Sequence, residues 1–158
     1  MCYQIYVSTT SLENLAALPT EFFRFERPSA EDRADVLALL EHPHKWYLAS
    51  RYGGCSCHYR FIGPPLLPLG NSKYKTLPLT TEDFDTPQDW MPEDEDDVEA
   101  TGAVFDVLRR LLEGGHSVDA IAIWTDSTAD KICSLDVPWR DVSRETFRFF
   151  ESYHVMFT

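Results

Sequence analysis

The residues best suited to chemistry lie in the stretch "KWYLASRYGGCSCHYRF", from Lys45 to Phe61. Cys55 and Cys57 stand one residue apart there, and His58 follows directly. Thiolates and imidazoles are the usual ligands of zinc, and an activated thiolate is also a nucleophile. The stretch therefore raises the question of whether these thiols form a functional site or part of a core.

The backbone that must position these thiols is predicted to be a β-hairpin. Gly53-Gly54 suits a two-residue primed turn, because glycine readily adopts positive φ angles. Strands over residues 45–52 and 55–62 would then place Cys55 opposite Tyr52 and Cys57 opposite Ser50. Both sulfurs would share the predicted core face with four large side chains, namely Trp46, Leu48, Tyr59 and Phe61.

Three interpretations of the cysteine pair remain open. We favour buried, inert core thiols, because small apolar thiols are common in cores. The second is a metal site, with zinc as its ion, in which Cys55 and Cys57 are completed by Cys2 or Cys133. The third is a reactive or disulfide-forming pair. His58 is not expected to join, since neighbours on a strand point to opposite faces.

The negative charge of the chain is concentrated in one segment. The net charge is −12, and residues 76–108 carry eleven acids and no Lys or Arg, whereas the remainder carries 15 acids and 14 bases. Phosphate backbones and anionic membranes need a basic surface, so we expect neither nucleic-acid nor membrane partners. The acidic sector, residues 82–99, instead predicts a site for a basic protein partner. Its expected contact residues are Phe84, Trp90, Met91, Asp94, Glu95, Asp96 and Asp97.

Other signatures are few. The acidic run "EDEDDVE" lacks the spaced aspartates and glycine of a calcium loop, and the chain holds no phosphate-binding glycine loop or nucleophile elbow. The "MC" start resembles that of N-terminal-nucleophile amidotransferases and the abasic-site-binding family, although Tyr3 stands where those families have glycine. The stretches "MCYQIY", "CSCHYRF" and "DWMPEDEDDVEATGAVFDVL" resemble a family of small bacterial proteins, a likeness that implies neither a function nor a site.

The elements predict a single α+β domain over residues 1–158, since 158 residues suit one core. We expect two layers: a mixed, mostly antiparallel sheet with helices on one face, and a long proline-rich covering loop at 63–92. The N-terminus lacks a basic start and an apolar run, which predicts a cytoplasmic protein. The predicted function is that of a non-catalytic binding or regulatory module. The alternative is a small metal-binding or thiol-active protein that uses Cys55 and Cys57, a class to which enzymes also belong.

Overall fold

A computed structural model describes residues 2–29, 32–62 and 94–158. In these ranges the chain forms a six-stranded sheet, a separate two-stranded sheet and two α-helices. The six-stranded sheet has the order β2 (Phe23–Glu26), β3 (His44–Ser50), β1 (Tyr3–Thr9), β5 (Val118–Trp124), β8 (Tyr153–Phe157) and β6 (Cys133–Val137). The two-stranded sheet pairs β4 (Phe61–Ile62) with β7 (Phe149–Phe150), and the helices are α1 (Ala34–Leu37) and α2 (Glu95–Glu113).

The pairing within the large sheet is mostly antiparallel. Strands β2, β3, β1, β5 and β8 pair antiparallel in turn, and β6 joins β8 in parallel. The apolar run of β5 predicts a strand covered on both faces. That prediction is confirmed, because β5 lies between β1 and β8 and every residue from Val118 to Ile123 is buried. The mixed α+β class is confirmed as well.

Helix α2 begins within the acidic run, at Glu95. The Asp94 side chain accepts a hydrogen bond from the Asp96 amide at 2.9 Å, which satisfies one of the free N–H groups of the first turn. Apolar residues at helical spacing, including Val104, Leu108 and Leu111, are fully or almost fully buried. The helix thus lays an apolar face against the sheet, as its sequence pattern predicts.

The two faces of the sheet carry separate apolar clusters. Alternate residues of β1 fall in different clusters: Ile5 packs with the residues of α2, whereas Tyr6 packs with Val36 of α1. The long helix therefore covers one face, and the short helix α1 lies against the other. The expectation that all helices lie on one face is not what these clusters show, because the single-turn helix fills the opposite side.

Two local predictions are wrong. Only Phe61–Ile62 of the expected second hairpin strand is a strand, and it pairs in parallel with β7 rather than with β3. The stretch "RETFRFF", residues 144–150, predicts a short helix capped by Ser143, but residues 144–146 form a turn and residues 149–150 form β7. The proline-rich loop at 63–92 lies outside the described residues.

Neither described helix has the length and apolar character that crossing a membrane requires.

Candidate metal centre

The structure brings three cysteine sulfurs together. The Sγ atoms of Cys2, Cys55 and Cys57 all lie within 4.8 Å of one another. Cys2 is exposed, and Cys55 and Cys57 are half-buried. Cys133, the other candidate ligand, is exposed on β6 and is not a member of this group. The three-thiol cluster, as we name Cys2, Cys55 and Cys57, therefore joins the N-terminal strand to the segment after β3.

The pairing of β3 explains why the predicted second strand of the hairpin, which carries Cys55 and Cys57, does not form there. Strand β3 pairs with β1 only over residues 44–47 and then pairs with β2 over residues 47–50. The first half of β1 is left without a strand partner on that side. The chain turns at Gly53 and Gly54, whose φ angles are 80° and 78°, and the segment 55–57 then passes beside the start of β1.

Side chains of this segment take the place of a regular strand ladder. The Ser56 amide donates to the Tyr3 carbonyl oxygen at 3.0 Å. The Ser56 hydroxyl accepts from the Ile5 amide at 3.0 Å and donates to the Leu48 carbonyl oxygen at 2.5 Å. The amide of Tyr3 donates to Cys57 Sγ at 3.3 Å. The segment is thereby fixed to β1 by three hydrogen bonds and to β3 by one.

The burial of Ser56 decides where the sulfurs lie. Ser56 is fully buried, whereas the cysteines on either side of it are only half-buried. Because side chains alternate along an extended segment, Cys55 and Cys57 share a side, as the sequence predicts. That side lies at the edge of the core and leaves both cysteines half-buried, so the prediction of two fully buried core thiols is wrong. Cys57 touches the edge of the main apolar cluster and the pair meets Cys2 there.

Thr125 holds the third sulfur in place. Its hydroxyl accepts from the Cys2 amide at 3.1 Å and donates to the Cys2 carbonyl oxygen at 2.5 Å. The Thr125 amide also donates to the Cys2 carbonyl oxygen at 2.9 Å. These contacts extend the β1–β5 pairing by one residue, so the backbone of Cys2 is anchored to the centre of the sheet.

Burial dominates the electrostatics of the cluster. It raises the pKa of Cys57 to about 12; the N–H of Tyr3 lowers this pKa, and the neighbouring sulfurs of Cys55 and Cys2 raise it further. The Cys57 thiol of the metal-free protein is therefore protonated at neutral pH. Such a thiol is a weak nucleophile, because the thiolate is the reactive form. A cation bound by the three sulfurs would displace this proton.

The helical end of the acidic sector contacts the residues on either side of the Gly53-Gly54 turn. Arg51 forms an ion pair with Asp96, and His58 Nδ1 lies 3.6 Å from Asp97 Oδ1. His58 is thus directed toward helix α2 and is not a member of the three-thiol cluster, as expected from its position. Burial raises the pKa of Asp97, and the charge of His58 opposes that rise. Phe84, Trp90 and Met91, expected to line the acidic sector, lie outside the described residues.

A buried polar group lies elsewhere, on β5, and the sequence analysis missed it. Asp119, fully buried, contacts His154 Nε2 at 2.6 Å, accepts from the Glu41 amide at 2.8 Å and accepts from the Ser8 hydroxyl. The signal was a lone aspartate in the apolar run "VDAIAIW". In a nucleophilic triad the imidazole contacts the hydroxyl, but here the carboxylate lies between them. The group therefore links β1, β5 and β8 and has no catalytic geometry.

No family model, curated protein or solved structure matches this chain. The fold and the site define it as an α+β protein with a three-thiol cluster beside the start of the central strand β1.

Proposed function

We propose that this protein binds a thiophilic metal ion through Cys2, Cys55 and Cys57. The observation that carries the proposal is the convergence of three Sγ atoms within 4.8 Å from two distant parts of the chain. Thiolates are soft ligands, which select ions such as Cu(I) and Zn(II) over Mg(II) or Ca(II). Metal binding by cysteines 55 and 57 with Cys2 stands among the sequence predictions, and zinc is the ion expected there.

The separations are close to those that a bound ion requires. With metal–sulfur bonds of about 2.3 Å, sulfurs lie about 3.8 Å apart in a tetrahedral site and about 4.0 Å apart in a trigonal one. The observed upper limit is 4.8 Å. Each pair would therefore close by about 1 Å or less, a shift that cysteine rotamers supply without backbone movement.

The surroundings favour metal binding over thiol catalysis. The burial that keeps the Cys57 thiol protonated at neutral pH weakens it as a nucleophile, whereas a metal ion replaces that proton directly. The Tyr3 N–H also points at Cys57 Sγ, and an N–H donor stabilises a sulfur that carries negative charge. Backbone contacts of this kind support ligands in thiolate metal sites.

Metal analysis of the purified, reduced protein tests the proposal. We expect one equivalent of Cu(I) or Zn(II) bound per chain after anaerobic loading and gel filtration, and loss of that equivalent in Cys57→Ser. Cys133→Ser is the matched control, because Cys133 is exposed and outside the cluster, so it should bind as the wild type does. Circular dichroism would show that both variants fold. A wild-type protein that retains no thiophilic ion would refute the proposal.

Binding of a basic protein partner by the acidic sector is a second candidate, favoured by the exposure of Asp94, Glu95 and Asp96. Because Asp94 caps α2 and Asp96 pairs with Arg51, neutralising those two would disturb the fold as well as the charge. The cleaner variant is Glu93→Gln with Glu95→Gln, titrated with a lysine-rich peptide at low and high salt. Its affinity should fall below that of the matched pair Glu21→Gln with Glu41→Gln. Equal affinities would refute this candidate.

A further inference from the structure

The donor set of the three-thiol cluster consists of sulfur alone. The protein has four cysteines and five histidines, and all nine lie within the described ranges 2–29, 32–62 and 94–158. No imidazole or carboxylate of those ranges joins Cys2, Cys55 and Cys57 in the group. The site therefore offers three sulfurs and no nitrogen.

The histidine nearest in sequence is engaged elsewhere. His58 Nδ1 is directed at Asp97, and the His58 ring packs edge-on against Tyr52 with 5.1 Å between ring centroids. His154 is held by Asp119 on the far side of β5 from Cys2 in the sheet order. Neither imidazole joins the group of three sulfurs, so the side chains of the described residues supply three ligands.

Thiophilic ions differ in the number and type of protein ligands that they prefer. Structural zinc almost always takes four protein ligands, and catalytic zinc with three typically includes histidine. Iron–sulfur clusters are held by four cysteines or by two cysteines with two histidines. Cu(I) is a soft monovalent ion with a filled d shell, and three thiolates in a trigonal arrangement satisfy it fully. We infer that the ion for which the three-thiol cluster is built is Cu(I), an inference that rests on the proposed function.

The placement of the three sulfurs supplies both an entrance and a protected side. Cys2 is exposed and gives an incoming ion its first ligand. Cys57 packs against the main apolar cluster, so the inner side of the site is apolar. Tyr3, whose amide donates to Cys57 Sγ, stacks its ring on Phe61 at 3.9 Å and contacts Trp124 at 3.8 Å between centroids. Apolar surroundings on one side of a site lower its local dielectric constant, which favours the less highly charged Cu(I) over Cu(II).

The binding step is a balanced ligand exchange. Cu(I) arrives bound to a weak ligand such as acetonitrile; its copper–nitrogen bonds break and the acetonitrile leaves to the solvent, while three copper–sulfur bonds form and each thiol that was protonated releases its proton to the solvent. The oxidation state of copper does not change, so no oxidant or reductant takes part. The sulfurs move together by about 1 Å or less, while the backbone before β1 and after Gly54 keeps its place.

The test is competition between Cu(I) and Zn(II) on the intact reduced protein under anaerobic conditions. Cu(I) in acetonitrile is titrated against the chromophoric chelator bathocuproine disulfonate, and the loaded protein is examined by X-ray absorption at the copper and zinc edges. We expect one Cu(I) per chain, a first shell of three sulfurs, and retention of copper in a hundredfold excess of Zn(II). Cys133→Ser should match the wild type. Cys2→Ser removes a ligand itself and should lower the Cu(I) affinity by more than the ~10–100-fold that is typical when a residue supporting a ligand is lost.

The outcomes separate this inference from the proposed function. Zinc bound with a four-ligand shell and displacing copper would overturn the inference while leaving thiophilic metal binding intact. A Cu(I) shell that contains nitrogen, or binding unchanged in Cys2→Ser, would also overturn it. A protein that binds neither ion when all four thiols titrate as reduced would overturn both.

Discussion

The buried carboxylate of Asp119 provides the sharpest test of how the sheet is held together. Asp119→Asn preserves the shape of the side chain but replaces one acceptor oxygen by an NH2 group. That group would face donors, because Asp119 accepts from the Glu41 amide and the Ser8 hydroxyl and contacts His154 Nε2. Hydrogen bonds to a charged group contribute about 1.5–3 kcal/mol each, and a buried donor left unpaired costs about 1–3 kcal/mol. We expect the variant to lose about 3 kcal/mol of unfolding free energy.

The pH dependence of the same variant tests the role of the charge. Burial raises the pKa of Asp119, but the contacts with His154, Ser8 and the Glu41 amide outweigh burial and hold this pKa below its ordinary value. A carboxyl with a lowered folded-state pKa stabilises the fold above its unfolded pKa of about 3.9, and this contribution is lost as the pH falls through the folded value. The stability difference between wild type and Asp119→Asn should therefore be full at pH 5 and shrink toward pH 3.

Urea denaturation followed by circular dichroism measures both effects. Asp136→Asn is the matched control, because Asp136 is an exposed aspartate on the neighbouring part of the sheet, in β6, and should change stability by less than about 0.5 kcal/mol. If Asp119→Asn were as stable as Asp136→Asn at pH 7, the reasoning that the carboxylate satisfies three buried donors would be refuted. A stability difference that stayed constant down to pH 3 would refute the assignment of a lowered pKa.

Three further predictions concern the three-thiol cluster. Thr125→Val removes the hydroxyl that holds Cys2 and should lower Cu(I) affinity by ~10–100-fold in the chelator competition, whereas Thr128→Val, which removes a hydroxyl that makes no cap bond, should not. Ser56→Ala leaves the Ile5 amide unpaired and should lower the unfolding free energy in urea by about 1–3 kcal/mol. Gly53→Ala places a Cβ at a φ of 80° and should cost about 1 kcal/mol or more in the same assay; an unchanged midpoint would contradict the turn geometry.

The elements that sequence reasoning predicted well are those set by local pattern. Strand β5 follows from an uninterrupted apolar run, and α2 follows from an acidic first turn ahead of apolar residues at helical spacing. The positive φ angles of Gly53 and Gly54 follow from residue type alone. Each of these features depends on residues close together in the chain, which is why a single sequence is enough to predict them.

The site could not be predicted in the same way, because it depends on which residues of β3 pair with β1 and which pair with β2. Nothing in residues 44–50 shows that the strand pairs with β1 over its first half and with β2 over its second. That division opens the space beside Tyr3 into which Ser56 fits, and it leaves Cys55 and Cys57 half-buried, with Cys57 at the edge of the core. From the sequence, Cys2 and Cys133 are equal candidates for the third ligand, since only the tertiary structure distinguishes them.

The origin of the three sulfurs bears on how an ion would act on the fold. Cys2 and Cys55 are separated by about 50 residues, so a shared ion would close a long loop of the unfolded chain, and long loops lose the most entropy on closure. The sulfurs are nevertheless positioned by contacts that need no metal. Thr125 holds the backbone of Cys2, and hydrogen bonds from β1 to Ser56 and Cys57 hold the other segment. The sheet is thus expected to fold first and to present a nearly complete site, which an ion then stabilises in proportion to its free concentration.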